Sequence, residues 1–571
     1  MIFEGGPDLA NRLISQERLL VSPGPGLDFA AGTRHTGRQV NPVYLVVCLL
    51  IVLAALVNVA RRLDISYPIV LVLGGLLLAL FPRLPEIRLE PEIVFLVFLP
   101  PLLYWDALNS SWRDFRDNRR PISLLAIGLV LASTVAVMLV AHFMLRFPWP
   151  AAFVLGAVLG PTDTVAAAAI LERFNLPRRL MSVLRGESLL NDALALVLYE
   201  TAVRVTQTRM YVLGSVSIGF VLAAAGGVAI GLVVGWAMLR IQRLTSDPLV
   251  RSTIGLLTGF AAYLPADALH VSGVLAVVSA GLYLGWEDPR IMSAKTRLQS
   301  IATWEVVTFL LNGLLFILIG LQLRTIVNSL SVESFGSIIY GCLLVSGTVI
   351  LVRILWVFIS AYVSRALSGR LRARGLYPAW HEPVLISWIG IRGGISLAAA
   401  LAIPTSLANG LPFPRRNEIL ILTFAVILVT LVLQGLSLPY LLRWLNFPAD
   451  SVERAEEQRA RETIAAVALQ FLASTTIEDE THRRAVRHLQ DSYRNRAEGL
   501  DPAYEAPQVI PKTGYLNQID SLERELIRLQ RSGLIDLRDR GAISDGVLRR
   551  FQVLLDLEEA HLEEQERRFH L

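Results

Sequence analysis

The sequence predicts an all-α polytopic membrane protein. About thirteen transmembrane helices form two inverted six-helix repeats with crossed broken helices, and a helical cytoplasmic tail follows. Three observations predict the membrane class, the span count and the tail; the repeats rest on the two helix breaks described below. First, the 571 residues are 54% hydrophobic and only 18% charged, against about 25% charge in a soluble globular chain. Second, the charge is segregated: residues 446–571 hold 18 Arg and Lys and 24 Asp and Glu, whereas the first 445 residues are apolar with a basic excess. Third, apolar runs of near-bilayer length recur along that first part. A single soluble enzyme domain is excluded. The overall excess of +5 does not point to nucleic acid, because the arginines lie between apolar runs and not along one stripe. Cys48 and Cys342 sit inside apolar stretches, so neither a disulfide framework nor a metal quartet is expected, and no cofactor motif occurs.

Residues 1–42 lack a secretory apolar core and read as a disordered extracytoplasmic tail. The membrane domain is read as 43–445, with spans at 43–60, 68–81, 92–106, 121–145, 151–171, 181–203, 212–239, 250–264, 271–286, 302–323, 335–364, 383–403 and 417–444. One set of connecting loops carries nineteen basic residues and the alternate set eight. Positive charge resists translocation, so the richer set is expected in the cytoplasm, with the N-terminus outside and the C-terminus inside the cell membrane. Residues 446–571 read as the cytoplasmic tail. In it Ile519, Leu522, Leu526 and Leu529 form one apolar stripe, and Ser544 is a candidate N-cap for a helix carrying Leu548, Phe551, Leu555 and Leu562. A helical hairpin that pairs with a dimer mate is the expectation there.

Ionisable groups at membrane depth are costly and by default mark a pathway. In the fifth span Gly160-Pro161-Thr162-Asp163-Thr164 predicts a helix break beside an acid. In the sixth, Ser188 and Asp192 lie one turn apart on one face, with Glu187 and Asn191 on the adjoining one. Polar helix–helix contacts use Ser and Asn freely but do not need two carboxylates. Hydroxyl, carboxylate and freed carbonyl oxygens are hard ligands that suit Na⁺ or Li⁺. Arg353 stands mid-way along the eleventh span and requires a carboxylate partner, for which Glu187 is the candidate. In the twelfth span Gly390-Ile391-Arg392-Gly393-Gly394 predicts a second break or a close packing seam. Its position relative to the first break, seven spans on, is what an inverted repeat gives.

The segments Gly160-Pro-Thr-Asp-Thr-Val-Ala and Gly186-Glu-Ser-Leu-Leu-Asn-Asp-Ala resemble the monovalent cation:proton antiporter-1 family of bacterial sodium/proton antiporters and eukaryotic sodium/hydrogen exchangers. Arg353, Gly-Ile-Arg392-Gly-Gly and Leu99-Pro-Pro-Leu-Leu-Tyr-Trp-Asp-Ala-Leu108 match in order, and the resemblance covers roughly 43–445. It implies a homodimer in which a core domain moves against a dimerisation domain. It also implies that Asp192 carries the ion or proton, with Ser188 and the Thr162 backbone as Na⁺ ligands. Asn191 and Asp163 would support the site, Glu187–Arg353 would brace it, and Arg392 would hold the second broken helix. Thr164 departs from the family, which usually has Pro there. The Asn191-Asp192 pair implies electroneutral exchange of one cation for one proton. K⁺/H⁺ exchange and a cation channel are the alternatives. The motifs of an intramembrane hydrolase are missing, and no enzyme activity is expected.

Overall fold

The computed structural model describes residues 42–81, 91–163, 165–171, 173–174, 176–208, 213–245, 247–328, 335–363, 380–407, 409–447, 451–476, 480–497 and 516–569. The N-terminal segment, Thr164 and the proline-containing joint at 502–511 lie outside the described residues. Everything described is helix or connection; the β-bonding among these residues is a single bridge between Ser406 and Pro412.

The chain runs through α1 (Pro42–Leu63), α2 (Tyr67–Ala79), α3 (Pro91–Leu108), the short α4 (Trp112–Asp117) and α5 (Arg119–Phe143). Next come α6 (Trp149–Val158) and α7 (Val165–Leu171), separated by a break, and the long α8 (Arg178–Thr208). Helices α9 (Leu213–Arg243), α10 (Pro248–Ala268), α11 (Gly273–Ile291), α12 (Ala294–Asn328) and α13 (Phe335–Phe358) follow. A second break separates α14 (His381–Trp388) from α15 (Gly394–Leu401), before α16 (Arg416–Leu445). Length and apolarity by themselves mark eight crossings among the described residues: α1, α3, α5, α9, α10, α12, α13 and α16. The other five apolar runs of the sequence fall on helices that are short (α2), broken (α6–α7 and α14–α15) or interrupted by charge (α8 and α11).

Helix ends follow local chemistry. Asp247 accepts from the backbone N–H groups of Leu249 and Val250 ahead of α10, with Pro248 in the first turn. Ser272 does the same for α11 through Leu275 N–H. Arg61 and Arg62 occupy the last turn of α1, where the helix dipole favours cations.

Two separate apolar cores divide the membrane part. One is built from α3, α10, α11 and α12, around Leu103, Ala107, Ala262, Val277, Leu284 and Trp304. The other joins α5, α6, α13, α15 and α16 around Val137, Leu155, Val349, Ala400 and Val426. Helix α8 contributes to both, Leu189 and Ala193 to the first and Tyr199 and Ala202 to the second. It therefore lies on the seam between the bundles. Helices α2 and α12 meet backbone to backbone. A Cβ on Gly75 would overlap the Ile317 carbonyl, and one on Gly320 the Val72 carbonyl, which is how small residues let membrane helices approach.

The tail has its own core. Helices α17 (Ser451–Ser474), α18 (Glu480–Ala497), α19 (Leu516–Asp539) and α20 (Asp545–Phe569) bury Ala460, Ile464, Leu489, Leu526, Leu548, Phe551 and Leu555 together. Ser544 accepts from Val547 N–H and caps α20. Leu522 and Leu526 of the expected apolar stripe are buried with residues of α17, α18 and α20 of the same chain. Arg290 of α11 donates to Asp539 of the tail at 2.6 Å. Burial alone would raise the Asp539 carboxyl, but the hydrogen bond from Arg290 and the charge of Arg538 outweigh it and hold it below its usual value.

Candidate ion site

Pro161 has no N–H to continue α6, and the chain leaves the helix over Pro161-Thr162-Asp163. The second break lies at 389–393, before α15. The two interruptions meet: Asp163 N–H donates to the Ile391 carbonyl at 2.8 Å. The approach is so close that a Cβ on Gly393 would fall on the Asp163 carboxylate. Gly393→Ala is accordingly expected to cost about 1–3 kcal/mol, the usual range for overpacking. A lowered melting temperature of the purified protein checks this; an unchanged one would mean that the breaks do not touch.

Arg392 spans both breaks. Its Nε donates to the Leu159 carbonyl at 3.3 Å, its Nη1 to the Gly390 carbonyl at 2.5 Å, and its backbone N–H to Thr430 Oγ1 at 3.1 Å. Unwound helix ends leave carbonyls without intrahelical donors, and a guanidinium supplies several at once. One buried arginine thus joins the end of α6 to the end of α14.

Beside the first break lies a closed polar cluster. Arg353 of α13 grips Glu187 of α8 with two bonds, Nη1 to Oε1 at 2.5 Å and Nη2 to Oε2 at 3.1 Å. Arg353 Nε donates to the Ile386 carbonyl at 3.0 Å, so the same side chain also holds α14. Both ion-pair members are essentially unexposed, at 0% and 1%, so neither charge is left to water. The Thr162 hydroxyl donates to Glu187 Oε1 at 3.0 Å, while Asn191 Nδ2 donates to the Thr162 hydroxyl at 2.8 Å and its carbonyl at 3.1 Å. Asn191 Oδ1 is buried and takes no partner among the described residues.

Asp192 stands apart from this cluster. It is 6% exposed, and among the described residues its carboxylate makes no hydrogen bond and no ion pair. Ser188, four residues earlier on the same helix face, is half-buried. The charges that bear on Asp192 are other carboxylates: Asp163, Asp106 and Glu187. The structure therefore brings Thr162, Glu187, Asn191 and Arg353 into one bonded network, and Asp163 and Arg392 into the crossing of the breaks. It leaves Asp192 and Ser188 on the free face of α8. Asp106, near the end of α3, is the residue that sequence reasoning passed over. It lies third from the end of the segment Leu99–Leu108 matched above, and it is exposed.

Comparison with known proteins places the chain in a family. Residues 48–444 match the family model described as sodium/hydrogen exchanger, transmembrane. An Na⁺/H⁺ exchanger of Mycobacterium bovis is 37% identical over 93% of this chain and 98% of its own length. A sodium, potassium, lithium and rubidium/H⁺ antiporter of Bacillus pumilus is 36% identical over 70% of this chain and 61% of its own. The solved structure of the sodium proton antiporter MjNhaP1 from Methanocaldococcus jannaschii superposes with a TM-score of 0.56 at 19% identity, over 71% of this chain and 99% of that one. That likeness carries the fold. The family consists of transporters and not enzymes, and its members exchange cations for protons within a membrane. This chain, with its multi-pass helical domain and the motif residues gathered at two meeting helix breaks, belongs to the sodium/hydrogen exchanger family.

Proposed function

We propose that the protein exchanges Na⁺ (or Li⁺) for H⁺, one for one, by alternating access, with Asp192 as the carrier. Ser188 and the Thr162 backbone supply further oxygen ligands, and Asn191 and Asp163 hold that ligand set in place. The observation that carries the reading is the division of labour on α8. Glu187 is neutralised by Arg353, whereas Asp192, five residues on, has no such partner among the described residues. A buried lone carboxylate binds either a proton or a small hard cation to offset its charge. Its place on the seam between two separately cored bundles suits a site that one bundle carries past the other.

The proposal includes the thirteen-span, inverted-repeat arrangement in the cell membrane, with the N-terminus outside and the tail in the cytoplasm. It also includes a homodimer and a role in pH homeostasis. Because Asn191 does not titrate, the proton-loaded and cation-loaded sites have the same charge, and the membrane potential does no net work on the cycle. Had one net charge moved, 100 mV would contribute about 2.3 kcal/mol, roughly fifty-fold at equilibrium.

Proteoliposomes loaded with a pH gradient test this, with Na⁺, Li⁺ and K⁺ offered separately and with or without an imposed voltage. Na⁺ and Li⁺ are expected to dissipate the gradient at rates that the voltage leaves unchanged. A voltage-dependent steady state contradicts the one-for-one reading. The breadth of the Bacillus pumilus relative's cation list favours K⁺ exchange as a second reading, which the K⁺ arm decides. A channel would pass cations without obligatory proton counterflow.

A further inference from the structure

The tail is fastened to the first bundle at many points. Arg297 of α12 forms a two-bond pair with the fully buried Asp556 of α20, at 2.5 and 3.0 Å. Arg538 of α19 donates to the Trp286 carbonyl at 3.0 Å and lies 4.2 Å from the centre of the Trp286 ring. Arg549 of α20 donates to the carbonyls of Leu108, Asn109 and Ser110, which end α3. Ser111, at the start of α4, donates to Asp545 at 2.5 Å, and Gln552 to the Pro289 carbonyl at 3.3 Å. Apart from Ser111, which caps α4, these lie on α3, α11 and α12 or in the loops at their ends.

Among the described residues, Arg178 carries a bond from the tail across the seam. Arg178 is the first residue of α8, the helix that carries Asp192 fourteen positions later. Its guanidinium is shared between two acids: Asp114 of α4, bonded through Nε at 2.9 Å and through Nη2, and Glu456 of α17, which accepts from Nη1 at 3.0 Å. Glu456 is 11% exposed and also accepts Ser544 N–H at 3.0 Å, so the tail's own fold fixes its position. Beside this junction a cavity of about 520 Å³ separates α8 from the tail. Arg178, Ser182, Arg185 and Gly186 line it on one side and Glu457 and Asp545 on the other. That wall of α8 ends one residue before Glu187.

We infer that Glu456 is a positioning residue for transport: it latches the Asp192-bearing helix to a tail anchored on the opposite bundle, and the latch opens in each cycle. The inference rests on the exchange reading above. A bundle that moves past its neighbour cannot keep a partly buried, charge-assisted bond to a body fixed on that neighbour. The bond stabilises one end of the cycle, and its release is part of the barrier out of that state.

The test is Glu456→Gln in the full chain, assayed in proteoliposomes beside wild type. Gln keeps an acceptor for Ser544 N–H while removing the charge that holds Arg178. The maximal exchange rate is expected to rise about three- to tenfold, with the competition between cation and proton at Asp192 unaltered. Hydrogen exchange should quicken at the start of α8 while the core amides of α17, α19 and α20 stay protected. An unchanged or slower maximal rate, against an active wild type, overturns the latch and leaves the exchanger reading standing. A wild type without exchange overturns the exchanger reading instead. If Glu456→Gln loosens the tail core as well, Arg178→Gln approaches the same bond from α8; a faster rate supports the latch and an unchanged or slower one overturns it.

Discussion

Replacing Asp192 with Asn is expected to reduce cation/proton exchange to the level of protein-free liposomes, while the purified protein melts at the wild-type temperature or above it. The two halves of this result have one cause. Asp192 is buried, and among the described residues no basic side chain compensates it; its electrostatic neighbours are Asp163, Asp106 and Glu187. An amide of the same shape removes the cost of holding a charge there, so folding loses nothing. The same change removes the only group in the proposed ligand set that can take up a proton and give it back. Ser188→Ala, which deletes one neutral ligand, leaves turnover possible and is expected to weaken apparent cation affinity alone. Exchange by Asp192→Asn at more than a small fraction of the wild-type rate would assign the carrier to another acid, with Asp163 and Asp106 next in line.

Arg353→Ala has its large effect on stability. It strands the Glu187 carboxylate, which among the described residues keeps the Thr162 hydroxyl alone, and it frees the Ile386 carbonyl. Removing one member of a buried ion pair costs about 3–5 kcal/mol. The expected outcome is a large fall in yield and melting temperature of the detergent-solubilised protein. The second variant makes the argument specific. Glu187→Gln combined with Arg353→Met leaves neither member of this pair charged and fills the space with an adaptable apolar chain, so it should recover much of what the single change loses. Equal losses in the single and double variants would show that Arg353 acts through shape and not through charge.

How far the site was legible follows from the range of the forces involved. Pro161 and the glycines around Arg392 act on their own backbone, so both breaks could be placed from the sequence. The need of Arg353 for an acid is set by the membrane and not by any particular neighbour; with few acids at that depth, Glu187 could be named across 166 positions. That the two breaks come together was an expectation of the repeat, but their contact through Asp163 N–H and the Ile391 carbonyl needed the fold, because no local pattern gives the register. The same holds for the tail. Its apolar stripes and the Ser544 cap were readable, but the arginines that dock it are spread over α11, α12, α19 and α20, and look from sequence like ordinary solvated charges. The Arg178–Glu456 bond joins two such charges 278 residues apart. Asp106 was not singled out because it lies near a helix end, where a carboxylate usually faces water, and it is exposed.

The central claim is that one carboxylate holds a proton or a cation and never both. Its most direct measurement is the apparent KM for Na⁺ as a function of pH on the side to which Na⁺ is added. Strict competition predicts that KM rises tenfold for each unit of acidification once the carboxyl is mostly protonated, since a proton must leave for every cation that binds. The maximal rate reached at high Na⁺ stays constant over that range. A KM that does not move with pH, while acid lowers the maximal rate, would mean that protons act elsewhere on the protein and would contradict the account.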